Sequence, residues 1–288
     1  MNSYSKFVSD IARIMEEGKS CPLGDFPPAA RPDISEDAPR VIVFPPHPDD
    51  ECIIGGLPLR LLRELKMRVI VAAVTHGSRK DRQRERFLEM TGACNYLGFE
   101  LIRIKENGLE KINLTTRRQD PQTWEQAVEA VAEILSINRP QTVFFPHDSD
   151  WNTTHVGTHY LVVDALARMD ADFSCYTVET EFWGAMATPN LMVESSVQDV
   201  VDLVTAISFH VGEVQRNPYH LRLPAWMLDN VRRGSEIVGG QGSGAPDFLF
   251  ATLYRLRRWE GGRMADVLPG GRVISVYDDL AGFFPLQR

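Results

Sequence analysis

One short segment concentrates the side chains that could do chemistry. Residues 45–51 read Pro-Pro-His-Pro-Asp-Asp-Glu, which places one imidazole and three carboxylates within positions 47–51. Three adjacent negative charges repel one another, and a divalent cation held by the imidazole and one carboxylate would relieve that repulsion. The segment therefore predicts a metal site, with the alternative that the acids only cap the first turn of a helix.

Spacing within this segment suggests a division of roles. His47 and Asp50 are three residues apart, so both can reach one ion across a turn. Asp49 then points in another direction and is free to act as a general base on water bound to the metal. We expect one zinc ion per chain, with another divalent metal as the alternative. A catalytic zinc usually has three protein ligands and one open position, so a third ligand must come from elsewhere.

A second polar cluster offers that ligand. Residues 147–159 contain three of the seven histidines of the chain, His147, His155 and His159. His155 and His159 are four residues apart at the start of a predicted helix, which would place them on one face. His155 begins that helix and is the favoured ligand, whereas His159 is favoured as a supporting or core residue.

The elements around these clusters alternate between runs of β-branched residues and helical periodicity, which predicts a parallel sheet. The predicted strands are 41–44, 68–75, 101–104, 142–145 and 174–179, and the predicted helices are 51–65, 81–97, 124–135 and 156–168. Ligands of such sheets bind beyond the carboxyl ends of the strands. The polar residues that follow Phe44, Val74 and Phe145 should therefore meet.

The two ends of the chain are less regular. We interpret residues 1–39 as an N-terminal extension with an amphipathic stretch at 5–17 followed by a proline-rich passage. After residue 181 the patterns predict a helix at 199–215, a basic solvated edge at 255–258 and a late strand at 272–277, with the glycine-rich residues 239–244 as a flexible loop. The predicted fold class is α/β, a single domain with a Rossmann-like, mostly parallel sheet, helices on both faces and an irregular C-terminal portion.

Composition excludes several classes of function. The chain has 288 residues and a formal net charge of −8, which disfavours nucleic-acid binding. No apolar stretch approaches the ~20 residues needed to cross a bilayer. The first residues also lack the apolar core of a secretory signal, so we expect no membrane span and a cytoplasmic location. The four cysteines have no CxxC spacing, which indicates reduced thiols rather than disulfides or zinc ligands.

Several motifs together resemble one family. Residues 46–51, Pro-His-Pro-Asp-Asp-Glu, followed by Gly55-Gly56, resemble the signature of the PIG-L (LmbE-like) family of zinc-dependent N-acetylglucosaminyl deacetylases. Further matches follow in order, namely Thr75-His76-Gly77, Arg86-x-x-Glu89 with Leu97-Gly98, His155 with Thr158, and His210 with Gln215. The resemblance covers residues 40–255, which we interpret as a deacetylase domain, with residues 256–288 as a C-terminal segment packed on it.

The resemblance implies a role for each matching residue. His47, Asp50 and His155 would bind zinc, and Asp49 would deprotonate the metal-bound water that attacks an acetamide carbonyl. Arg86 would bind a hydroxyl or an anionic group of the substrate. The implied partner is a small molecule, an N-acetylated amino sugar of the N-acetylglucosamine type or a conjugate of one, and the protein could form a homo-oligomer.

One position departs from the family. Asn152 stands where the family has an imidazole that stabilises the oxyanion or donates protons. An Asn amide can donate a hydrogen bond to an oxyanion, but it cannot supply a proton to the leaving amine. That proton is then left to Asp49, or to His147 or His159, which we also consider as substrate contacts.

This departure keeps two alternatives open. One is a metal-dependent hydratase of an unsaturated carboxylic acid on the same fold, since hydration requires no protonation of an amine. The other is a non-catalytic, metal-containing ligand-binding protein, although such a protein has no use for a base at Asp49.

Overall fold

The computed structural model describes residues 2–285, whose strands form one mixed sheet. The strands are β1 (Arg40–Val43), β2 (Arg68–Ala73), β3 (Glu100–Arg103), β4 (Thr142–Pro146), β5 (Cys175–Thr180), β6 (Leu191–Glu194), β7 (Ala251–Glu260), β8 (Arg263–Asp266) and β9 (Arg272–Ile274). Their order is β3-β2-β1-β4-β5-β7-β6-β9, with β8 paired to β7. Strands β1 to β5 pair in parallel, whereas β7 runs antiparallel to β5, β6 and β8. The predicted Rossmann-like, mostly parallel sheet is confirmed.

Helices surround this sheet. They are α1 (Tyr4–Gly18), α2 (Asp50–Ile53), α3 (Leu57–Arg63), α4 (Gln83–Leu97), α5 (Leu114–Gln119), α6 (Pro121–Asn138), α7 (Thr153–Leu166), α8 (Val197–Ser208), α9 (Val211–Arg216) and α10 (Leu223–Ile237). Successive side chains of a strand point to opposite faces. Val41 and Val43 accordingly pack in one core cluster and Ile42 and Phe44 in another, so β1 is covered on both sides.

Two predicted helices are each broken in the structure. The segment predicted as one helix at 51–65 forms α2 and α3, which are separated at Gly55. Gly55 has a φ of +84°, and a Cβ there would lie 2.6 Å from the hydroxyl oxygen of Tyr254 on β7. The segment predicted at 199–215 ends as α8 at Ser208 and restarts as α9. Both uninterrupted helices were wrong, and at Gly55 the reason is that helical periodicity does not reveal such a long-range contact.

The basic run at 255–258 is not a solvated edge. It lies inside β7, where all four residues pair with β5 on one side and Arg257 and Arg258 also pair with β8 on the other. Arg255 and Arg257 each donate to the fully buried carboxylate of Glu179 on β5, at 2.6 Å. The prediction was wrong because the run neutralises a buried charge on a neighbouring strand. β7 also continues past residue 255, the expected limit of the deacetylase domain.

The N-terminal helix lies apart from the core. α1 buries none of its residues, and Tyr4, Phe7, Ile11 and Ile14 are each at least half exposed. Within residues 2–285, no helix combines the length and the apolar character that crossing a bilayer requires.

Helix α7, which begins beside the polar cluster after β4, packs closely on the loop before α5. A Cβ at Gly157 would lie 2.7 Å from the main-chain nitrogen of Asn113. Alanine normally stabilises a helix relative to glycine by about 1 kcal/mol. Because the contact is with backbone, we expect Gly157→Ala to lower the free energy of unfolding instead, by roughly 1–3 kcal/mol. Urea titration followed by circular dichroism measures this change.

Gly244→Ala is the matched control, because an added Cβ there meets no atom within 4 Å. Its free energy of unfolding should stay within roughly 0.5 kcal/mol of the parent. A Gly157→Ala protein as stable as this control would contradict the close packing of α7.

Candidate functional site

The carboxyl ends of β1, β2 and β4 meet, as the sheet topology predicts. The segment after β1 is joined to the end of β2, since the hydroxyl of Thr75 donates to the carbonyl oxygen of Pro46 at 2.7 Å. The cluster after β4 begins α7 directly beside this segment. The parallel register therefore brings His47 and His155 together across 108 residues of sequence.

Three ligand-type atoms form a compact triangle at this point. His47 Nδ1 lies 3.3 Å from Asp50 Oδ2 and 3.2 Å from His155 Nε2, and the latter two atoms are 3.2 Å apart. Ligands bound tetrahedrally at ~2.0–2.1 Å from zinc are separated by about 3.3–3.4 Å. Asp50 Oδ1 is also buried, with no hydrogen-bond partner among residues 2–285. The triangle and its donor types therefore fit a zinc ion.

Asp150 orients one of these ligands. Its Oδ2 lies 3.2 Å from His155 Nδ1, and both side chains are fully buried. A carboxylate in this position keeps the proton on Nδ1 and leaves Nε2 free to bind a cation. The sequence prediction missed Asp150, because an acid among the polar residues after Pro146 carries no spacing signature of its own.

The centre of the triangle favours positive charge. Burial opposes protonation of His155, but Asp50 and Asp150 outweigh burial and raise the pKa of the imidazole to about 9. Burial likewise opposes ionisation of Asp50, but His155 and His47 hold the pKa of that carboxyl below its usual range. A cation placed there meets an ionised carboxylate and two imidazoles already turned towards it.

Asp49 is held in an unusual backbone conformation beside the triangle. Its φ of +113° lies outside the regions that non-glycine residues favour, and such strain persists only where surrounding contacts enforce it. Its amide N–H donates to Glu51 Oε2 at 2.8 Å, and its Oδ2 accepts from the hydroxyl of Tyr219 at 2.7 Å. Burial and the neighbouring Asp50 raise the pKa of Asp49 to about 6, a value suited to a base near neutral pH.

Glu51 has a supporting role. It is fully buried, and its Oε1 accepts from His210 Nε2 at 2.7 Å while its Oε2 holds the amide of Asp49. Burial opposes protonation of His210, but Glu51 outweighs burial and raises the pKa of that imidazole. Glu51 thus links the backbone of Asp49 to His210 in the C-terminal half of the chain.

Tyr219 was absent from the sequence prediction. It lies in the short 3-10 helix Tyr219–Arg222, 170 residues from Asp49. Burial and the nearby carboxylate of Asp49 raise the pKa of the phenol well above its usual range, so the hydroxyl remains a donor. No local pattern marks a single tyrosine in this region, and only the folded chain shows its partner.

A cavity of about 800 Å³ opens beside the triangle and is lined by His47, Asp49, Arg86 and Asn152 among others. Arg86 Nη2 donates to the carbonyl oxygen of Pro48 at 2.6 Å and lies 3.7 Å from Asp49 Oδ2. The guanidinium therefore lies at the cavity and near the carboxylate of Asp49, and its contact with substrate stays a prediction.

Asn152 is positioned by its role as the N-cap of α7. Its side-chain oxygen accepts from the amide of Thr154 at 2.9 Å, and its own main-chain N–H donates to Asp150 Oδ1 at 2.9 Å. The amide –NH₂ group of Asn152 is therefore left for a ligand in the cavity.

His147 and His159, the two histidines considered as substrate contacts, do not line this cavity. His147 is fully buried, with Nε2 2.9 Å from the carbonyl oxygen of Gly184. His159 is also buried, with Nδ1 2.9 Å from the carbonyl oxygen of Pro146. Both imidazoles are held by main-chain groups, so this geometry does not support the expected contact of either with substrate.

Comparison with known families now identifies the part of the chain that bears the site. Residues 42–166 match the PIG-L family, described as GlcNAc-PI de-N-acetylase. The resemblance inferred from the motifs is thereby confirmed over residues 42–166, a stretch that contains His47, Asp49, Asp50 and His155. A search of curated proteins found no match.

Solved structures share the fold. N,N'-diacetylchitobiose deacetylase from Pyrococcus horikoshii has 15% sequence identity and a TM-score of 0.56, with 91% of this chain and 94% of that chain covered. A conserved protein from Thermus thermophilus has 19% identity and a TM-score of 0.53, covering 75% and 93%. The 4-carboxy-2-hydroxymuconate hydratase from Pseudomonas putida has 15% identity and a TM-score of 0.53, covering 76% and 95%. At these sequence identities the comparison shows a shared fold only.

The triangle makes a prediction about metal content. Replacing His155 by Ala removes one corner, so we expect the purified protein to lose the roughly one zinc ion per chain that the parent retains after dialysis. Elemental analysis by mass spectrometry measures the loss, and circular dichroism verifies that the variant is folded. His159→Gln, one helical turn further along α7, is the control and should keep its zinc. Full zinc occupancy in the folded His155→Ala protein would refute this ligand set.

Proposed function

We propose that the protein is a zinc-dependent hydrolase that removes the acetyl group from an N-acetylated amino sugar or a conjugate of one. The observation that carries the proposal is the triangle of His47, Asp50 and His155 beside the buried, strained Asp49 at the wall of an open cavity. The description of the PIG-L family as a de-N-acetylase supports this activity, as does the shared fold of a chitobiose deacetylase.

His47, Asp50 and His155 would hold the metal, and His47 is the member that lines the cavity. When bound, zinc supplies Lewis-acid chemistry, which polarises an amide carbonyl and makes water more acidic. Asp150 would keep His155 in the tautomer that this coordination requires.

Asp49 would be the base. Its Oδ2 is engaged by the hydroxyl of Tyr219 and faced by Arg86, whereas its Oδ1 accepts no hydrogen bond from residues 2–285. Oδ1 is thus the atom left to take a proton from the attacking water. Tyr219 would fix the carboxylate so that this oxygen keeps its direction during the reaction.

The leaving amine also needs a proton. His147 and His159 are held by main-chain carbonyls away from the cavity, and Asn152 has no proton to give. Asp49 would therefore return the proton it took from water to the nitrogen, so that cleavage of the C–N bond yields acetate and a free amine. The –NH₂ group of Asn152 would donate to the oxyanion that develops on the carbonyl oxygen.

The role of Asp49 can be tested by Asp49→Asn, which keeps the shape of the side chain but removes the base. We expect the rate of acetate release from N-acetylglucosamine derivatives to fall by about 10²–10⁴-fold with zinc content unchanged. Asp229→Asn makes the same chemical change at an exposed ion pair with Arg232 and should leave the rate unaltered. Retention of the full rate by the Asp49→Asn protein would be incompatible with the proposed role.

The main competing activity is hydration of an unsaturated carboxylic acid. Asn152 favours it, because hydration needs water and a base but no proton for an amine, and the Pseudomonas hydratase shares the fold. Acetate release and hydration of an unsaturated acid, both measured on the zinc-loaded protein, separate the two activities. A zinc-loaded protein that releases no acetate but hydrates an unsaturated acid would be a hydratase. A zinc-loaded protein that binds sugars without converting them would be a binding protein.

A second substitution tests the support of the base. Tyr219→Phe removes the hydrogen bond to Asp49 Oδ2, and hydrogen bonds to charged groups are worth about 1.5–3 kcal/mol. We expect kcat for acetate release to fall roughly 10- to 100-fold, with KM and zinc content unchanged. Steady-state kinetics at several substrate concentrations separates kcat from KM.

Tyr96→Phe is the matched control, since the hydroxyl of Tyr96 donates to Asp202 at 3.0 Å away from the cavity. It should lower stability without lowering kcat. If Tyr219→Phe behaved like Tyr96→Phe, the tyrosine would have a structural role only.

A further inference from the structure

The outer part of the cavity has two exposed tryptophans. Trp151 is 71% exposed and Trp183 is 41% exposed, and both line the same cavity as His47 and Asp49. Large apolar side chains left open to solvent beside a cavity indicate a surface that a ligand covers.

One carboxylate, that of Asp150, connects the two backbone segments that carry the tryptophans. Asp150 precedes Trp151 in the chain, and its Oδ2 accepts from the main-chain N–H of Trp183 at 3.3 Å. The two backbone segments are in direct contact, since a Cβ at Gly184 would lie 2.9 Å from Asp150 Cα. The Trp183 ring also rests edge-on against the ring of Tyr219, with centroids 5.8 Å apart. The backbone at both tryptophans and the ring of Trp183 are therefore held in place before any ligand arrives.

Three asparagines line the same space, namely Asn113, Asn152 and Asn217. The side-chain oxygen of Asn113 accepts from the amide of Thr116, and that of Asn152 accepts from the amide of Thr154, both at 2.9 Å. Because these oxygens are used as helix caps, the –NH₂ groups remain free to donate to a ligand. Donors of this kind beside flat aromatic surfaces suit a molecule that has both hydroxyls and an apolar face.

The charged residues around the cavity are largely neutralised. Lys80 lies 3.3 Å from Glu110, and Arg216 lies 2.5 Å from Glu213, while Lys111 is exposed to solvent. A neutral, hydroxyl-rich ligand therefore fits this part of the cavity better than a strongly charged one.

We propose that the outer cavity is a carbohydrate subsite, in which a second sugar ring of the substrate stacks on Trp151 and Trp183. Hydroxyls of this ring would accept from the side-chain –NH₂ group of Asn113, whereas that of Asn152 is reserved for the acetamide carbonyl. The inference rests on the proposed function, because it places the N-acetylated sugar beside Asp49 and the second ring beyond it. A cavity of about 800 Å³ accommodates both rings, being near the upper end of the usual range for ligand sites.

Binding is measured on the full chain loaded with zinc and carrying Asp49→Asn, so that turnover does not interfere. Isothermal titration with N,N'-diacetylchitobiose and with N-acetylglucosamine should show the disaccharide binding roughly 10-fold more tightly. Replacing both Trp151 and Trp183 by Ala should abolish this preference, whereas replacing both by Phe should restore part of it. Tyr277→Ala is the control, because it removes an aromatic side chain that is 95% exposed elsewhere and should change neither affinity.

Kinetics on the chain with Asp49 intact provides the second readout. Because Trp183 also packs on Tyr219, the readout in the double Ala variant is a ratio: kcat/KM for the disaccharide should fall roughly 10-fold more than kcat/KM for N-acetylglucosamine. A loss of both activities to the same degree would show a general defect and would overturn the subsite.

The outcomes separate the subsite from the proposed function. Disaccharide binding that depends on the tryptophans but yields no acetate would support the subsite and reject the deacetylase. Equal affinity for both sugars, or a preference that survives the double Ala substitution, would overturn the subsite. Tighter binding of 4-nitrophenyl N-acetyl-β-D-glucosaminide than of the disaccharide would assign the tryptophans to an aromatic aglycone and overturn the sugar assignment.

Discussion

Three consecutive carboxylates buried at the end of one strand are the constraint on which the site depends. A buried carboxylate is costly unless it is paired or hydrogen-bonded, and neighbouring ones also repel each other. Asp49, Asp50 and Glu51 meet this requirement by turning to different partners. Asp50 faces two imidazoles. Glu51 accepts hydrogen bonds from His210 and from a main-chain amide, and Asp49 accepts one from a tyrosine hydroxyl.

This requirement explains why both halves of the chain build the site. The segment after β1 and the helix after β4 supply the triangle, but the partners of Glu51 and Asp49 come from residues 210 and 219. The strained backbone at Asp49 persists because contacts from both sides hold it. The C-terminal half therefore has a role in supporting the base, in addition to any role in choosing a substrate.

The parts of the structure that the sequence predicts are those with local signals. Alternating strand and helix patterns predict the parallel sheet, and the rule that its strand ends meet brings His47, Asp50 and His155 together. The helix break at Gly55 and the position of Arg255 inside β7 were not predicted, because both depend on residues far away in sequence. Tyr219 was missed for the same reason, since it lies 170 residues from Asp49. Asp150 is only five residues from His155 and was missed because its spacing carries no recognisable signature.

Asp150 has a consequence for how such a protein can be redesigned. A single carboxylate contacts the metal-ligand candidate His155, the main chain of the helix cap Asn152 and the backbone of Trp183. Lengthening or replacing the 150–152 loop to admit a different substrate would shift the carboxylate that sets the tautomer of His155, and metal affinity would change with it. Engineering that exchanges only the outward side chains at 151 and 183 leaves this anchor in place, so substrate preference and metal binding can be varied separately.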